Sequence, residues 1–360
     1  MRPPDAVIAF RGQLDGDTEA AFERVTQRFA ALGYTASLRD WAGGGHEVVA
    51  VKGVIEPKPA RTWINVVLFL ATLLSVLYIG AQYALTDANL LTNDLSQTDM
   101  LLMPLTHLHW GLPFAGTLMS ILLAHELSHY FVARRYGSPV SLPYFIPMPA
   151  SIIGTMGAVI VQRAPMRNRK ALFDIGVAGP LGGLIVAIPL LILGLTLSSL
   201  EPPPDIEVAW QEGNSLLYLG LKYLVFGKIL PSNGEDVWLH SVAFAAWAGL
   251  LVTMINLIPV GQLDGGHISY ALLGRRARTL GYVLIAAMMA WGGILLMTEN
   301  GAGGFWMTWG FLNLILNPRH PPPLDDATRL DWRRIVFGLL VLAIFILTFM
   351  PAPLREIRIR

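Results

Sequence analysis

His125-Glu126-Leu127-Ser128-His129 sets two imidazoles four positions apart, with a carboxylate beside the first. On a helix, positions four apart share a face, so His125 and His129 can grip one ion from one side. Glu126 can then reach the water that such an ion activates, which is the arrangement of a zinc hydrolase. The motif lies in an apolar stretch, about Leu112 to Ala133, that reads as a membrane-spanning helix. Ionisable groups in a span are expensive and persist where they have a function and a partner. One shared metal ion explains all three.

Catalytic zinc takes three protein ligands and keeps one position open. No further His follows closely, because the chain continues Tyr130-Phe131-Val132-Ala133-Arg134. The third-ligand candidate is Asp264, in Asn256-Leu257-Ile258-Pro259-Val260-Gly261-Gln262-Leu263-Asp264-Gly265-Gly266-His267. Pro259 and Gly261 interrupt a helix, and Gly265-Gly266 let the backbone fold tightly round Asp264. Broken helix at membrane depth lines protein or a watery cavity, so an aspartate delivered there fits a ligand role. Asn256 divides between a helix-terminal hydrogen bond and catalysis. His107 and His109 read as interfacial, His267 as exposed or else as a neighbour supporting Asp264, Asp174 as a capping or packing residue, and Gly179 and Gly182 as packing residues.

Composition sets the elements that must position these groups. The chain has 360 residues, 54% hydrophobic and 14% charged, where a soluble domain has roughly 25% charged residues. It is therefore an integral membrane protein. A net charge of +1 without a basic aromatic patch gives no sign of nucleic-acid binding. The lack of cysteine excludes disulfides, cysteine zinc sites and a thiol nucleophile. The start, Met1-Arg2-Pro3-Pro4-Asp5, reads as neither a signal peptide nor a transit peptide.

The expected fold is a polytopic α-helical membrane protein of about six to seven spans, with a membrane-associated hairpin and a small N-terminal α/β domain. Residues 1–60 form the soluble head and linker: strands Val7–Phe10, Tyr34–Leu38 and Glu47–Val51, an amphipathic helix Asp17–Leu32, and a stiff Glu56-Pro57-Lys58-Pro59. Residues 61–350 form the transmembrane domain, with its core at 112–275. A span needs about 20 apolar residues. Besides the one carrying HExxH, spans are expected over Trp63–Leu85, Ala171–Leu197, His240–Ile258, Leu280–Met297 and Ile335–Phe349. Phe305–Leu316 is short, and its crossing is left open. A polar loop with Asp87, Asp94 and Asp99 follows the first span. Residues 137–170, rich in Pro and Gly, read as a hairpin dipping toward the membrane. Residues 199–237 hold an interfacial helix, Ser215–Leu230, and residues 351–360 form a basic tail. Arg134, Arg135, Arg167, Arg169, Arg275 and Arg278 mark the cytoplasmic side. Arg355 breaks that pattern if Phe305–Leu316 crosses; Arg333 and Arg334 break it otherwise.

HExxH followed by N-x-x-P-x-x-x-L-D-G-G resembles the site-2 protease family of intramembrane zinc metalloproteases. Within it the chain looks most like the chloroplast and cyanobacterial branch, on Gly154-Thr155-Met156-Gly157-Ala158, on Phe173-Asp174-Ile175 leading to Ala178-Gly179-Pro180, and on the head with Phe10-Arg11-Gly12. The likeness covers roughly residues 5–300. It implies an endopeptidase acting in regulated intramembrane proteolysis, with a single-span membrane protein or remnant peptide as substrate in the lipid bilayer. It implies that His125, His129 and Asp264 bind Zn2+, that Glu126 acts as general base and then proton donor, and that Asn256 holds substrate or stabilises the oxyanion. The hairpin with Gly154 and Gly157 would pair with an unwound substrate strand. The expected home is a bacterial cytoplasmic membrane, with the active site near the cytoplasmic side. Two other readings are a catalytically idle scaffold or chaperone, against which Glu126 argues, and a metal transporter, which would repeat ligands along a path through several spans.

Overall fold

The computed structural model describes residues 7–358 apart from 15, 56–60, 89, 91–94, 202–207, 233, 299–301 and 317–318. The expected Glu56-Pro57-Lys58-Pro59 linker and Asp94 lie outside the described residues.

The head starts with β1 (Val7–Gly12), α1 (Thr18–Ala31), β2 (Tyr34–Asp40) and β3 (His46–Lys52). Its strands form an antiparallel sheet in the order β1-β3-β2. Asp17 caps α1 by accepting the Glu19 N–H at 3.2 Å. Gly33, at φ 81°, makes the turn into β2 that a side chain would strain. Phe22 of α1 packs on Ala36, Leu38 and Val48, forming a small core. A residue from far along the chain, Ala327, completes that core.

The membrane part follows: α2 (Thr62–Asp87), α3 (Gln97–Thr106), α4 (Leu112–Arg135), β4 (Tyr144–Pro147), β5 (Thr155–Val159), α5 (Arg169–Thr196), β6 (Ser199–Glu201), β7 (Val208–Glu212), α6 (Leu216–Phe226), β8 (Asp236–Trp238), α7 (Ser241–Asn256), α8 (Asp264–Leu273), α9 (Ala277–Met297), α10 (Ala302–Ile315), α11 (Trp332–Thr348) and β9 (Leu354–Arg358). Among the described residues, three stretches are long and apolar enough to cross a membrane: Thr62–Asp87, Arg169–Thr196 and Asp264–Met297. The outer faces of these helices are apolar. Trp63, Val66, Val67, Leu70 and Leu74 of α2 are exposed, as are Ile335, Val336, Leu339, Leu340 and Leu342 of α11. Exposed apolar faces of this extent suit lipid contact.

Small residues bring the helices together. A Cβ on Gly111 would lie 2.1 Å from the Leu77 carbonyl of α2, and one on Gly194 2.3 Å from the Ala243 nitrogen of α7. Close backbone approach of this kind is how helices pack within a membrane. Gly292 and Gly303 likewise seat α10 antiparallel on α9, so the chain returns to the side of Arg134. Arg334 confirms that side. Its Nε and Nη2 donate to the Asp174 carboxylate at 2.8 and 2.6 Å, near the start of α5. Asp174 also accepts from Tyr136, just past the end of α4. Arg334 therefore sits with the other arginines, and Arg355, bonded to Gln211 at 3.1 Å, lies on the opposite side.

Several local expectations change. The polar loop after the first span contains α3, capped by Ser96. The segment after α5 holds three short strands besides α6, and β7 pairs with β9 from the expected basic tail. Asn168, not Asp174, caps α5, accepting the Ala171 N–H at 2.9 Å.

The head is clasped to the membrane part by residues 324–326. Leu38 of β2 donates to the Leu324 carbonyl at 2.6 Å, and its own carbonyl accepts from Asp326 at 2.8 Å. On its other edge the same segment donates from Leu324 to Met166 and from Asp325 to Arg167. Lys170 pairs with Glu19 of α1 at 2.7 Å.

Candidate metal centre

HExxH forms because α4 runs unbroken from Leu112 to Arg135, and its period places His125 and His129 one turn apart on the inner face. Both are almost fully buried, at 4% and 5% exposure. Asp264 comes from a different origin. Helix α7 ends at Asn256, a tight turn carries Pro259 and Gly261, and α8 begins at Asp264 itself. A Cβ on Gly265 would lie 2.1 Å from the Leu257 carbonyl, and one on Gly266 2.3 Å from the Gly261 carbonyl. Only glycines let α8 fold back so closely on that turn.

The three side chains converge. His125 Nε2 lies 3.1 Å from Asp264 Oδ2, and His129 Nε2 lies 3.2 Å from Asp264 Oδ1. The two Nε2 atoms are 3.1 Å apart. His129 Nδ1 lies 2.7 Å from the Ile175 carbonyl of α5. A carbonyl can only accept, so Nδ1 carries the proton and Nε2 of the neutral ring offers a lone pair. Imidazoles that hold a metal are oriented in this way. Two ring nitrogens and a carboxylate in mutual contact need positive charge among them, and a divalent cation fits this donor set. Among the described residues, His125, His129 and Asp264 form the cluster whose donor atoms, all within 4.8 Å of one another, could hold an ion.

Glu126 is 5% exposed, and its carboxylate takes no hydrogen bond from the described residues. It remains available to accept from water. Asn256, at the end of α7, is half-buried and likewise makes no side-chain hydrogen bond among them. Gly154 and Gly157 lie in the hairpin, in different surroundings. Gly154, at φ 77°, abuts α2: its carbonyl accepts from Ser75 at 2.6 Å, and a Cβ would lie 2.8 Å from the Val76 α-carbon. Gly157 of β5, at φ 94°, has open space where a Cβ would be.

Helix α5 supplies groups that local reading treated as packing. A Cβ on Gly179 would fall 2.0 Å from His129 Nε2, and one on Gly182 2.0 Å from Ser128 Oγ. Gly176 admits the α8 backbone and the His267 side chain. The glycines thus form the wall against which the imidazoles lie. The available signal is a run of glycines at helical spacing in a strongly apolar span. His267 is half-buried rather than exposed, with Nδ1 2.6 Å from His320 Nε2. His107 stays apart from the centre, its Nδ1 bonded locally to Met103 and Thr106.

The profile of "Peptidase family M50" matches residues 113–298, which include His125, His129 and Asp264. "Probable zinc metalloprotease EGY1, chloroplastic" of Oryza sativa subsp. japonica is 29% identical over 378 residues, covering 97% of this chain and 63% of that protein. "Probable zinc metalloprotease EGY2, chloroplastic" of Arabidopsis thaliana is 32% identical over 248 residues, 68% of this chain and 42% of the relative. The Arabidopsis thaliana EGY1 protein is 30% identical over 83% of this chain and 55% of its own length. The chain thus spans about two fifths to two thirds of the length of these relatives. No solved structure matches it. The family profile covers half of the chain, including His125, His129 and Asp264, and the chain belongs to this membrane-embedded peptidase family, M50.

Proposed function

We propose that the chain is an intramembrane zinc endopeptidase that hydrolyses peptide bonds in transmembrane segments of other proteins. The observation that carries this reading is the convergence of His125, His129 and Asp264 inside the helix bundle, with an unbonded Glu126 beside them. The relatives' names, zinc metalloproteases, support it.

His125 Nε2, His129 Nε2 and Asp264 would hold the ion, and the Ile175 carbonyl keeps the His129 ring in the required tautomer. Zinc, when bound, supplies Lewis-acid activation of water and of the scissile carbonyl. Glu126 takes the proton from the attacking water and later gives it to the leaving amine. Asn256 is the proposed further donor to substrate, at the point where α7 breaks. A helical substrate hides its peptide bonds and must be extended first. In the two-stranded hairpin, β5 pairs with β4 on one edge only, and Met156 and Val159 are exposed along it. Addition of a substrate strand to that edge would hold it open, with Gly157 leaving space for the incoming backbone. Gly154 then serves the hairpin's seat on α2.

The architecture read with this function has the head in residues 1–60 and the metalloprotease part in residues 61–350. Seven crossings are proposed, by α2, α4, α5, α7, α8 with α9, α10 and α11. The arginine-rich side, which carries the head, is proposed as the cytoplasmic side of a bacterial membrane; the named relatives are chloroplastic. The substrate class is a single-span membrane protein or remnant peptide. Cleavage of a reporter transmembrane peptide by the purified chain, with elemental analysis alongside, tests the reading. One zinc per chain and chelator-sensitive cleavage are expected. Folded protein without stoichiometric metal overturns it.

A further inference from the structure

A cavity of about 790 Å3 opens where the head, the start of α9 and the segment after α10 meet. It is separate from the metal-ligand cluster, and its lining is strongly basic. Arg39 comes from the head, Arg275 and Arg278 from the turn into α9, and Arg319 from the segment after α10. Asp326 is the acidic residue among the lining groups. Its charge is already engaged, by Arg169 at 3.0 Å and by the Tyr270 hydroxyl at 3.2 Å. Arg39 is held by Glu47 at 2.6 Å. Among the described residues, Arg275 and Arg278 pair with no carboxylate. Excess positive charge focused in a concave space attracts an anion.

The lining also holds two of the guanidiniums, those of Arg278 and Arg319, in place. The Arg278 guanidinium lies 5.7 Å over the Tyr282 ring, and Arg319 engages the Tyr282 hydroxyl. Tyr270 stacks on His320 with ring centroids 4.7 Å apart, forming a flat wall. Guanidiniums fixed by aromatic neighbours present paired N–H donors, and these match the oxygens of a phosphate group. The cavity borders an apolar helix surface. Val283, also in the lining, is 59% exposed on the apolar surface of α9.

We propose that this cavity binds a phosphate-bearing ligand, and that the ligand bridges the head to the membrane part through Arg39 on one side and Arg275 and Arg278 on the other. Two sources share this chemistry: the headgroup of an anionic phospholipid and a soluble phosphate. Basic pockets at the cytoplasmic ends of membrane helices bind lipid headgroups in this way.

The test uses the full chain, purified and reconstituted in nanodiscs. One arm compares phosphatidylcholine discs with discs containing phosphatidylglycerol, reading retained lipid by native mass spectrometry. The other arm titrates inorganic phosphate against chloride at equal ionic strength in phosphatidylcholine discs, reading thermal unfolding. Retained phosphatidylglycerol, or stabilisation specific to phosphate, supports the site and identifies the source. Either signal is expected to weaken at least about tenfold in Arg278→Gln and in Arg275→Gln. A second readout needs no variant: the bound ligand should slow phenylglyoxal modification of Arg275 and Arg278, mapped by peptide mass spectrometry. Wild-type protein that responds in neither arm, or ligand that leaves arginine modification unchanged, overturns the proposal.

Discussion

Gly179 faces His129 so closely that a methyl group on its α-carbon would fall 2.0 Å from the Nε2 atom. The imidazole occupies the volume that any side chain at position 179 would fill. Gly179→Ala is therefore expected to push His129 out of reach of Asp264 and abolish stoichiometric metal binding. Gly183→Ala is the control, because its methyl would lie 3.4 Å from His125 Nδ1, an ordinary contact. Elemental analysis of both variants, with helix content checked by circular dichroism, distinguishes a lost site from a lost fold. Metal retained in Gly179→Ala would refute the packing argument.

Glu126→Gln removes the proposed base and leaves His125, His129 and Asp264 unchanged. Cleavage of a transmembrane reporter should fall by about 10²–10⁴-fold, with metal content unchanged. Equal loss of metal would mean that Glu126 belongs to the ligand set.

Arg334 and Asp174 tie α11 to α5 by two bonds, at 2.8 and 2.6 Å. Truncating Arg334 to Ala leaves a partly buried carboxylate with only Tyr136 to satisfy it. The expected cost is about 1–3 kcal/mol, seen as a lowered unfolding temperature. In a double-mutant cycle, Asp174→Asn should cost little more once Arg334 is gone.

In the head, Glu47 accepts from Arg11 at 2.8 Å and from Arg39 at 2.7 Å. These bonds, first that to Arg11, hold its carboxyl below the usual value of 4.5. A depressed folded-state value gives stability that is present above the unfolded value and lost as pH falls through the folded one. Wild type should therefore be more stable than Glu47→Gln at pH 7, and the gap should narrow as the pH falls below the range of a free carboxylate. Thermal unfolding of both proteins across pH 3–7 reads this; a gap that does not narrow toward the acid end would rule the linkage out.

Asp325 is buried and accepts from the Ala327 and Thr328 N–H groups at 3.1 and 2.9 Å, and from the Thr328 hydroxyl at 2.6 Å. It shapes the turn that presents Leu324 and Asp326 to β2. Asp325→Ala should loosen the clasp by about 1–3 kcal/mol. Faster hydrogen exchange at the Leu38 amide, without change at α4, is the expected signature.

What was legible in the sequence was what is encoded locally. The two imidazoles follow from helical period, and Asp264 follows from the Pro and Gly residues that break α7 ahead of it. The head's elements follow from alternation and turn residues. Contacts between distant segments left no such trace. Nothing near Leu324 announces that it pairs with Leu38, and β7 finds β9 across the breadth of the chain. Gly179 illustrates the middle case: its smallness was visible, but not the partner that required it. His267 is a further instance, since His320, which covers it, comes from another segment.

The clasp also sets an order of events during synthesis. Residues 324–326 emerge roughly 290 residues after Leu38, about 15–60 s later at typical rates of translation. Until then the edge of β2 has no partner, although the helices carrying His125, His129 and Asp264 are already made. The head is thus the first part of the protein to be made, and the strand-edge contact that clasps it forms only after the segments carrying His125, His129 and Asp264 have left the ribosome; before then its ties to the rest are side-chain contacts such as Lys170 to Glu19.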